Sequence, residues 1–335
     1  MTDRNRQVLL AARPQGWLRE SDFRIIESPV PSIGEGQVLV RNHWLSLDPY
    51  MRGRMSEAKS YAQPLEIGDV MIGGTAGEVM ASRHADYKVG DKVVGVLGWQ
   101  LYAVSDGTAL RKVDDSLVPL SASLGVLGMP GVTAWIGLND FCSPKPGETV
   151  VVTAAAGAVG SVVGQLAKLR GCRVVGVAGG PEKCRYVVEE LGFDACVDYK
   201  AGRLAVDIQA AAPRGIDCLF ENVGGEIFDT LLLRMNAFSR IALCGLVSEY
   251  NATQPYAMKN VRSLLVNRIR LQGFIVSEHM ARWPQALQEL TAGVAAGKIK
   301  YRETIAPGLE AAPRALIGLF EGENLGKQLV KLVVS

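Results

Sequence analysis

Eleven residues near the middle of the chain constrain its fold most: Val150-Val151-Val152-Thr153-Ala154-Ala155-Ala156-Gly157-Ala158-Val159-Gly160. A β-branched run enters a glycine turn, and the turn opens a stretch with helical spacing, Ser161–Leu169. Thr149–Ala167 is uncharged and long enough by count to cross a bilayer. Its interior is only weakly apolar, and its two halves differ in period, so it reads as strand, turn and helix. In that setting the turn matches a dinucleotide fingerprint, with Ala155 in place of the usual first glycine. Gly157 lets the backbone approach a pyrophosphate, and Gly160 lets helix and strand pack closely. The start of the helix turns unused N–H groups and a partial positive charge toward the phosphates. Ala155, Gly157, Ala158, Val159 and Gly160 are therefore the phosphate-binding candidates. The bland alternative is a strand–helix turn with no ligand.

The next strand indicates which dinucleotide. It ends in Val177-Ala178-Gly179-Gly180-Pro181-Glu182-Lys183. An NAD enzyme places an acid about here for the ribose 2′-hydroxyl. No carboxylate occupies this strand end, and Lys183 follows at the start of a helix. Removing an anion and adding a cation suits a 2′-phosphate, so the residues point to NADP(H). Lys183 alone reads equally as a solvated helix lysine, so the missing acid carries more of the inference. That absence also counts against S-adenosylmethionine as the ligand.

The chain has 335 residues, enough for two domains at about 150 residues each. Residues 1–125 read as short strands with turn punctuation, among them Gln37–Asn42, Gly73–Val79 and Val89–Val96, and predict a β-rich domain. From 126 the rhythm changes. Strand candidates Val150–Thr153, Arg173–Val177, Cys196–Val197, Cys218–Glu221 and Arg240–Cys244 alternate with helical patterns such as Lys183–Leu191. This predicts a parallel sheet with helices on both faces. A helix around Asn260–Val266, a strand Arg268–Val276 and a helix Trp283–Ala296 ending at Gly297 follow. In the tail, Lys298–Glu303 reads as extended, Ala311–Phe320 as helix and Lys327–Val334 as a strand that returns to the first domain.

Thirty-six basic and 34 acidic residues leave a charge of +2, which offers no nucleic-acid surface. No apolar segment follows Met1–Arg6, so no signal peptide is expected. The six cysteines, at 142, 172, 184, 196, 218 and 244, form no C-x-x-C pair, and gaps of 12 to 30 residues do not make a zinc knuckle. Reduced core thiols in a cytoplasmic protein are expected.

Four further motifs carry a resemblance along the whole chain. They are Leu45-Ser46-Leu47-Asp48-Pro49-Tyr50-Met51-Arg52-Gly53-Arg54-Met55, Met129-Pro130-Gly131-Val132-Thr133-Ala134-Trp135, Glu221-Asn222-Val223-Gly224-Gly225 and Gly322-Glu323-Asn324-Leu325-Gly326-Lys327. In order and spacing the chain resembles the zinc-independent medium-chain dehydrogenase/reductases. It is most similar to their leukotriene 12-hydroxydehydrogenase/prostaglandin reductase group, which includes curcumin reductases and alkenal double-bond reductases. The resemblance implies an α/β protein with a GroES-like β-rich catalytic domain, residues 1–125 and 300–335, and a Rossmann doubly wound parallel-sheet domain, residues 126–299. It implies that Gly179, Lys183 and Tyr199 hold the phosphorylated adenosine and that Asn222 and Asn324 approach the ribose–nicotinamide end. Met129 and Thr133 would line the nicotinamide, and Phe274, Ile275 and Val276 would meet its carboxamide through backbone groups. Cys244 and Tyr250, after the fifth strand, complete the cofactor set. Taken singly, Met129 and Phe274 also read as core, and Asn222 and Asn324 as turn formers.

The resemblance further implies reduction of a conjugated C=C bond: hydride to the β-carbon, charge on the carbonyl oxygen as an enolate, and protonation at the α-carbon. Metal chemistry is not expected, since the only histidines are His43, His84 and His279 and no cysteine precedes Cys142. Relatives place a proton-donating tyrosine eight residues before Phe274, where this chain has Val266. Tyr50 and Tyr250 are the substitutes, with the ribose hydroxyl and water as further sources. Trp44, Tyr50, Met51, Met55 and Tyr61 suit an apolar electrophile, and equally a domain core. A quinone reductase and a non-catalytic NADPH-binding sensor are the alternatives. The expected partners are a small electrophilic substrate and a second copy of the chain, the latter through the edge strand at 268–276; no membrane is expected.

Overall fold

A computed structural model describes residues 4–116 and 118–333. Met1–Asp3 of the N-terminal reading and Val334 of the last expected strand lie outside the described residues.

The first stretch carries strands β1 (Arg4–Leu10), β2 (Phe23–Pro29), β3 (Val38–Ser46), β4 (Thr75–Ser82), β5 (Lys92–Gly95), β6 (Tyr102–Ser105) and β7 (Leu110–Lys112), with helix α1 (Tyr50–Arg54) after β3. The second begins with α2 (Met129–Ile136) and alternates β8 (Thr149–Thr153), α3 (Gly160–Leu169), β9 (Arg173–Ala178), α4 (Pro181–Arg185), β10 (Ala195–Asp198), α5 (Leu204–Ala211), β11 (Ile216–Glu221), α6 (Gly225–Leu232) and β12 (Met235–Leu243). It closes with α7 (Arg262–Val266), β13 (Arg270–Gly273) and α8 (Trp283–Ala295). The tail supplies β14 (Glu303–Pro307), α9 (Ala312–Glu321) and β15 (Lys327–Lys331). Two compact units result: Met1–Gly125 with Glu303–Asn324 and Gln328–Ser335, and Val126–Arg302 with Leu325–Lys327.

In the first unit β1 and β2 form an antiparallel pair, and a seven-stranded sheet runs β14-β15-β3-β4-β5-β7 with β6 also on β3. Val38 and Val40 alternate inward and pack with Val79 and Val93. A bulge between Asn42 and Trp44 changes the phase of β3. Leu45 therefore joins a different cluster, with Trp99, Leu309, Leu316 and Val330. Met51 and Met55 are fully buried in that cluster. They are core, not pocket wall as one expectation had it, because they are buried in one cluster with Leu10, Trp99, Leu316 and Val330. Arg52 is buried between them, and its guanidinium donates to the carbonyls of Pro14 and Gly16 at 3.2 and 3.0 Å. Much of the specific motif thus holds the unit together.

The second unit is a six-stranded parallel sheet in the order β10-β9-β8-β11-β12-β13. This is the doubly wound arrangement, with its switch point beside β8. Val151, Val175, Val177, Leu219 and Ile241 turn one way and pack with Ile208 of α5 and Phe228, Leu231 and Leu232 of α6. Val150, Val152, Val174 and Phe220 are buried on the other pleat, toward α3 and a π-type turn at Gly137–Cys142.

Several expected elements differ in extent. The strand expected over Arg268–Val276 covers only Arg270–Gly273. Arg268 has φ 48° in the turn that ends α7, and pairing with β12 stops at Leu243–Gly273. Ile275 and Val276 therefore lie past the strand, Val276 at the start of a 3-10 turn. The Lys183–Leu191 helix is α4 followed by a π-type turn at Tyr186–Glu190. The extended tail segment becomes a strand only at Glu303, and the final strand stops at Lys331.

Candidate functional site

In doubly wound sheets ligands bind at the carboxyl ends of the strands. In the second unit the expected residues follow those ends: the turn after β8, Gly179–Lys183 after β9, Tyr199 after β10, Asn222 after β11, Cys244–Tyr250 after β12 and Phe274–Val276 after β13.

At the first turn Ala154 takes the left-handed conformation, φ 50°, and its carbonyl accepts the Gly157 N–H at 2.9 Å. The strained position is thus Ala154, one residue before the alanine that replaces the fingerprint glycine. Gly157 forms a parallel bridge with Gly326, whose N–H donates to the Ala156 carbonyl at 2.9 Å. A Cβ on Gly160 would stand 2.4 Å from the Ala154 oxygen, so only glycine lets α3 start this close to β8.

At the second strand end a Cβ on Gly179 would lie 2.9 Å from the hydroxyl and ring of Tyr199. The tyrosine fills the place where a side chain would project. Asp198 Oδ1 accepts the Gly180 and Lys200 N–H groups at 2.7 and 2.9 Å and so ties β10 to the β9 loop. Lys183 is held below the usual lysine range by burial and then by the nearby Lys200. Lys200 directly follows Tyr199, and Lys183 lies four residues beyond Gly179. Sequence reasoning gave no part to Asp198 or Lys200, although both flank Tyr199.

Around β11, the Asn222 amide nitrogen Nδ2 donates to the Thr153 carbonyl at 2.8 Å, and its backbone N–H donates to Thr153 Oγ1 at 2.8 Å. Asn222 is therefore locked to the end of β8. Glu221 is fully buried beneath it. The Cys244 thiol is pushed up to about 12 by burial and by that carboxyl. Tyr250 Oη accepts the Leu246 N–H at 3.4 Å, which keeps the phenol inside its own loop. The loop that follows is held by buried Asp229, whose carboxylate accepts from the Lys259 and Asn260 N–H groups at 3.1 and 2.9 Å.

Thr133 Oγ1 donates to the Met129 carbonyl at 2.7 Å, one turn back in α2. The Phe274 ring is core, stacked on Phe141 at 4.7 Å and edge-on to Phe220, which leaves only backbone groups at this position for a ligand. Val266, where relatives carry a tyrosine, is half exposed on α7.

In the first unit Tyr50 opens α1, and the Arg54 guanidinium lies over the rings of both Tyr50 and Tyr61, at 5.9 and 5.3 Å. Burial, and then the negative charge of Asp48, push the Tyr50 phenol well above its ordinary value, so it is neutral at pH 7. The Ser46 hydroxyl donates to that Asp48. Trp44 packs against Ala76, Leu124 and Leu329, while Tyr61 is exposed. Asn324 is buried near the end of this unit.

Residues 6–113 match a family profile described as the N-terminal domain of oxidoreductase, and residues 158–292 one described as zinc-binding dehydrogenase. The NADPH-dependent curcumin reductase of Escherichia coli (strain K12) is 51% identical, over 98% of this chain and 97% of that one. The chain belongs to the medium-chain dehydrogenase/reductase family. Within the family it stands with the zinc-independent group. The 2-alkenal reductase (NADP(+)-dependent) of Nicotiana tabacum is 43% identical, over 97% of both chains. The structure of CurA from Vibrio vulnificus in complex with NADPH superposes with a TM-score of 0.94 at 48% identity, over 98% of this chain and 100% of the other. The second profile carries zinc in its description. Among the described residues no group of three or more His, Cys, Asp and Glu side chains could hold a metal ion. A zinc site needs three or four such donors, and the residues present do not fit one.

Proposed function

We propose that this medium-chain dehydrogenase/reductase reduces the C=C bond of α,β-unsaturated ketones and aldehydes with NADPH. The observation that carries the coenzyme is a β9 strand end with no carboxylate, whose side-chain position is taken by Tyr199, with Lys183 four residues on and Lys200 next to that tyrosine. Two cations and a phenol suit a 2′-phosphate. The N–H groups of the Ala154–Gly160 turn and the start of α3 would hold the pyrophosphate. Asn222, fixed at both its backbone and its amide, would hold the ribose end, with Met129, Thr133, Cys244, Tyr250, Asn324 and the backbone of Phe274–Val276. Bound NADPH supplies the hydride that the substrate β-carbon accepts.

This chain's own part in the chemistry is to meet the charge that develops on the carbonyl oxygen. A neutral phenol does this by donating a hydrogen bond. Tyr50 is the first candidate, since burial keeps its proton on. Tyr250 is the second. Tyr50→Phe is expected to lower kcat on the order of 10²-fold while NADPH binding stays unchanged. Tyr250→Phe is expected to lower it less. Wild-type turnover in both variants would move the proton to water or the ribose. The activity itself is tested by following NADPH absorbance with a medium-chain 2-alkenal and a conjugated enone and identifying products by mass. Saturated carbonyls support the assignment. Hydroquinols formed only from a quinone panel would make it a quinone reductase, and tight binding without turnover a sensor.

A homodimer through β13 goes with this reading. β13 is the edge of the parallel sheet, and all its residues are exposed. Phe238, Leu265, Val266 and Leu271 expose apolar surface on and around it. Light scattering should give twice the 36.0 kDa chain mass, and Leu271→Asp should reduce it to one. Six free cysteines suit a reducing compartment, in keeping with a cytoplasmic enzyme. No helix among the described residues is long and apolar enough to cross a membrane.

A further inference from the structure

Glu221 closes the apolar strand β11 and has no exposed surface. Its oxygens are used very unequally. Oε1 accepts three hydrogen bonds: from the Val223 and Gly224 N–H groups at 2.6 and 2.7 Å, and from Thr153 Oγ1 at 3.1 Å. Oε2 is buried with no hydrogen-bond partner. The same Thr153 holds Asn222 from the other side. One carboxyl therefore sets the turn that presents Asn222 and the start of α6. A hydrocarbon or an amide could fill the space, and leaving a carboxylate oxygen buried and unpaired is costly. Such a group is retained where its charge, or its proton, has a use.

Its polar neighbours are a hydroxyl, a thiol and one further carboxylate. Thr153 faces Glu221 from β8. Just past β12 comes the Cys244 thiol, neutral because burial and the carboxyl itself push it up. The Glu249 carboxylate approaches beyond Gly225, from the loop after β12. No cation is among the groups that set the state of Glu221, and burial pushes it up to about 7.

We propose that Glu221 is a positioning residue whose proton is coupled to the oxidation state of the coenzyme: ionised, it favours the oxidised, positively charged nicotinamide, and protonated, the neutral reduced one. The inference rests on the NADP(H) reading above. Asn222, which that reading places at the ribose end, follows Glu221 directly. In a medium of low dielectric an anion at this strand end would act on the charge of a nicotinamide ring bound near Asn222. By linkage, the oxidised coenzyme then lowers the proton affinity of Glu221 and expels its proton, whereas the reduced coenzyme does not.

Calorimetric titration of the whole protein with NADP⁺ and with NADPH, at pH 6 to 9 and in buffers of different ionisation enthalpy, tests this. The expected result is proton release on binding NADP⁺ at pH 7 but not NADPH. The Kd ratio, NADP⁺ over NADPH, should fall at least fivefold between pH 6 and 8.5. Glu221→Gln, which copies the neutral carboxyl, should keep both affinities measurable and flatten the ratio. The free protein gives a second readout. A group raised from 4.5 to about 7 by folding adds stability below 4.5 and loses it as pH rises through 7. The wild-type denaturation midpoint should therefore fall relative to Glu221→Gln over that window. Equal loss of both affinities with no pH term would mean a purely structural carboxyl and overturn the coupling, as would a wild-type ratio constant within twofold. Failure of both nucleotides to bind at any pH would instead remove the NADP(H) reading itself.

Discussion

Gly160→Ala is expected to weaken NADP(H) binding by at least 100-fold, about 2.7 kcal/mol. The added carbon would stand 2.4 Å from the Ala154 oxygen and 2.9 Å from the Ala154 carbonyl carbon. Both are backbone, and neither can step aside. Ala154 is already in the left-handed region, and its oxygen is engaged by Gly157. The start of α3 must lift away from β8, carrying with it the amides that would hold the pyrophosphate. Alanine favours a helix over glycine by about 1 kcal/mol, and overpacking of this kind costs about 1–3 kcal/mol. Stability should thus drop modestly while affinity collapses. Quenching of protein fluorescence by NADPH, set beside a thermal melt, separates the two. Gly293→Ala in α8 is the control, because its added carbon would stand 2.5 Å from Ile299 Cδ1 and so overpacks a helix outside the cradle. Equal affinity in Gly160→Ala and wild type would refute the phosphate cradle.

Reversing one charge should have a comparable effect on coenzyme choice. Lys183→Glu is expected to raise the KM for NADPH on the order of 10²-fold and to leave that for NADH within a few-fold. Charge-assisted hydrogen bonds to phosphate are about twice as strong as neutral ones. The variant would also set an anion where the proposed 2′-phosphate would lie. For the wild type, rising salt should weaken NADPH more than NADH, since only the former carries the extra charge. The ratio of kcat/KM values for the two coenzymes is the measurement. An unchanged ratio would remove Lys183 from the site. Gly179→Asp is not the mirror experiment it resembles, because the new side chain would run into Tyr199.

That collision explains something the sequence could only suggest. A missing acid after β9 was legible as a preference for NADP(H), but the ring of Tyr199 occupying its place was not, since it comes from the next strand. The parallel sheet was readable because β-branched strands and a glycine turn are local signals. Helix α5 escaped because its only fully buried residue is Ile208. Helix α6 escaped because it starts on two left-handed glycines, Gly224 and Gly225, that look like a loop. The β1–β2 pair was missed as well: its strands lie on either side of an irregular stretch and carry no shared turn signal. The over-long strand at 268–276 has a similar cause, since alternation cannot register the backbone of Arg268. Within the motifs, residue type did not separate chemistry from scaffolding. Met51 and Met55 could line a cavity or fill a core, and only their complete burial in the first unit's cluster decides. Glu221 left a trace, an acid ending an apolar strand, whose meaning lies in which of its oxygens finds a partner.

The placement of β15 has a consequence for how the protein is made. Its residues Leu329–Lys331 pair with Trp44–Ser46 of β3, across almost the entire chain. On the ribosome one edge of that stretch, the other being paired with β4, stays open while the sheet-and-helix unit is synthesised, on the order of ten seconds or more at ~5–20 residues per second. The amino-terminal unit cannot complete its sheet until β15 has been made, and truncation before Lys327 should yield aggregates and not a shortened enzyme.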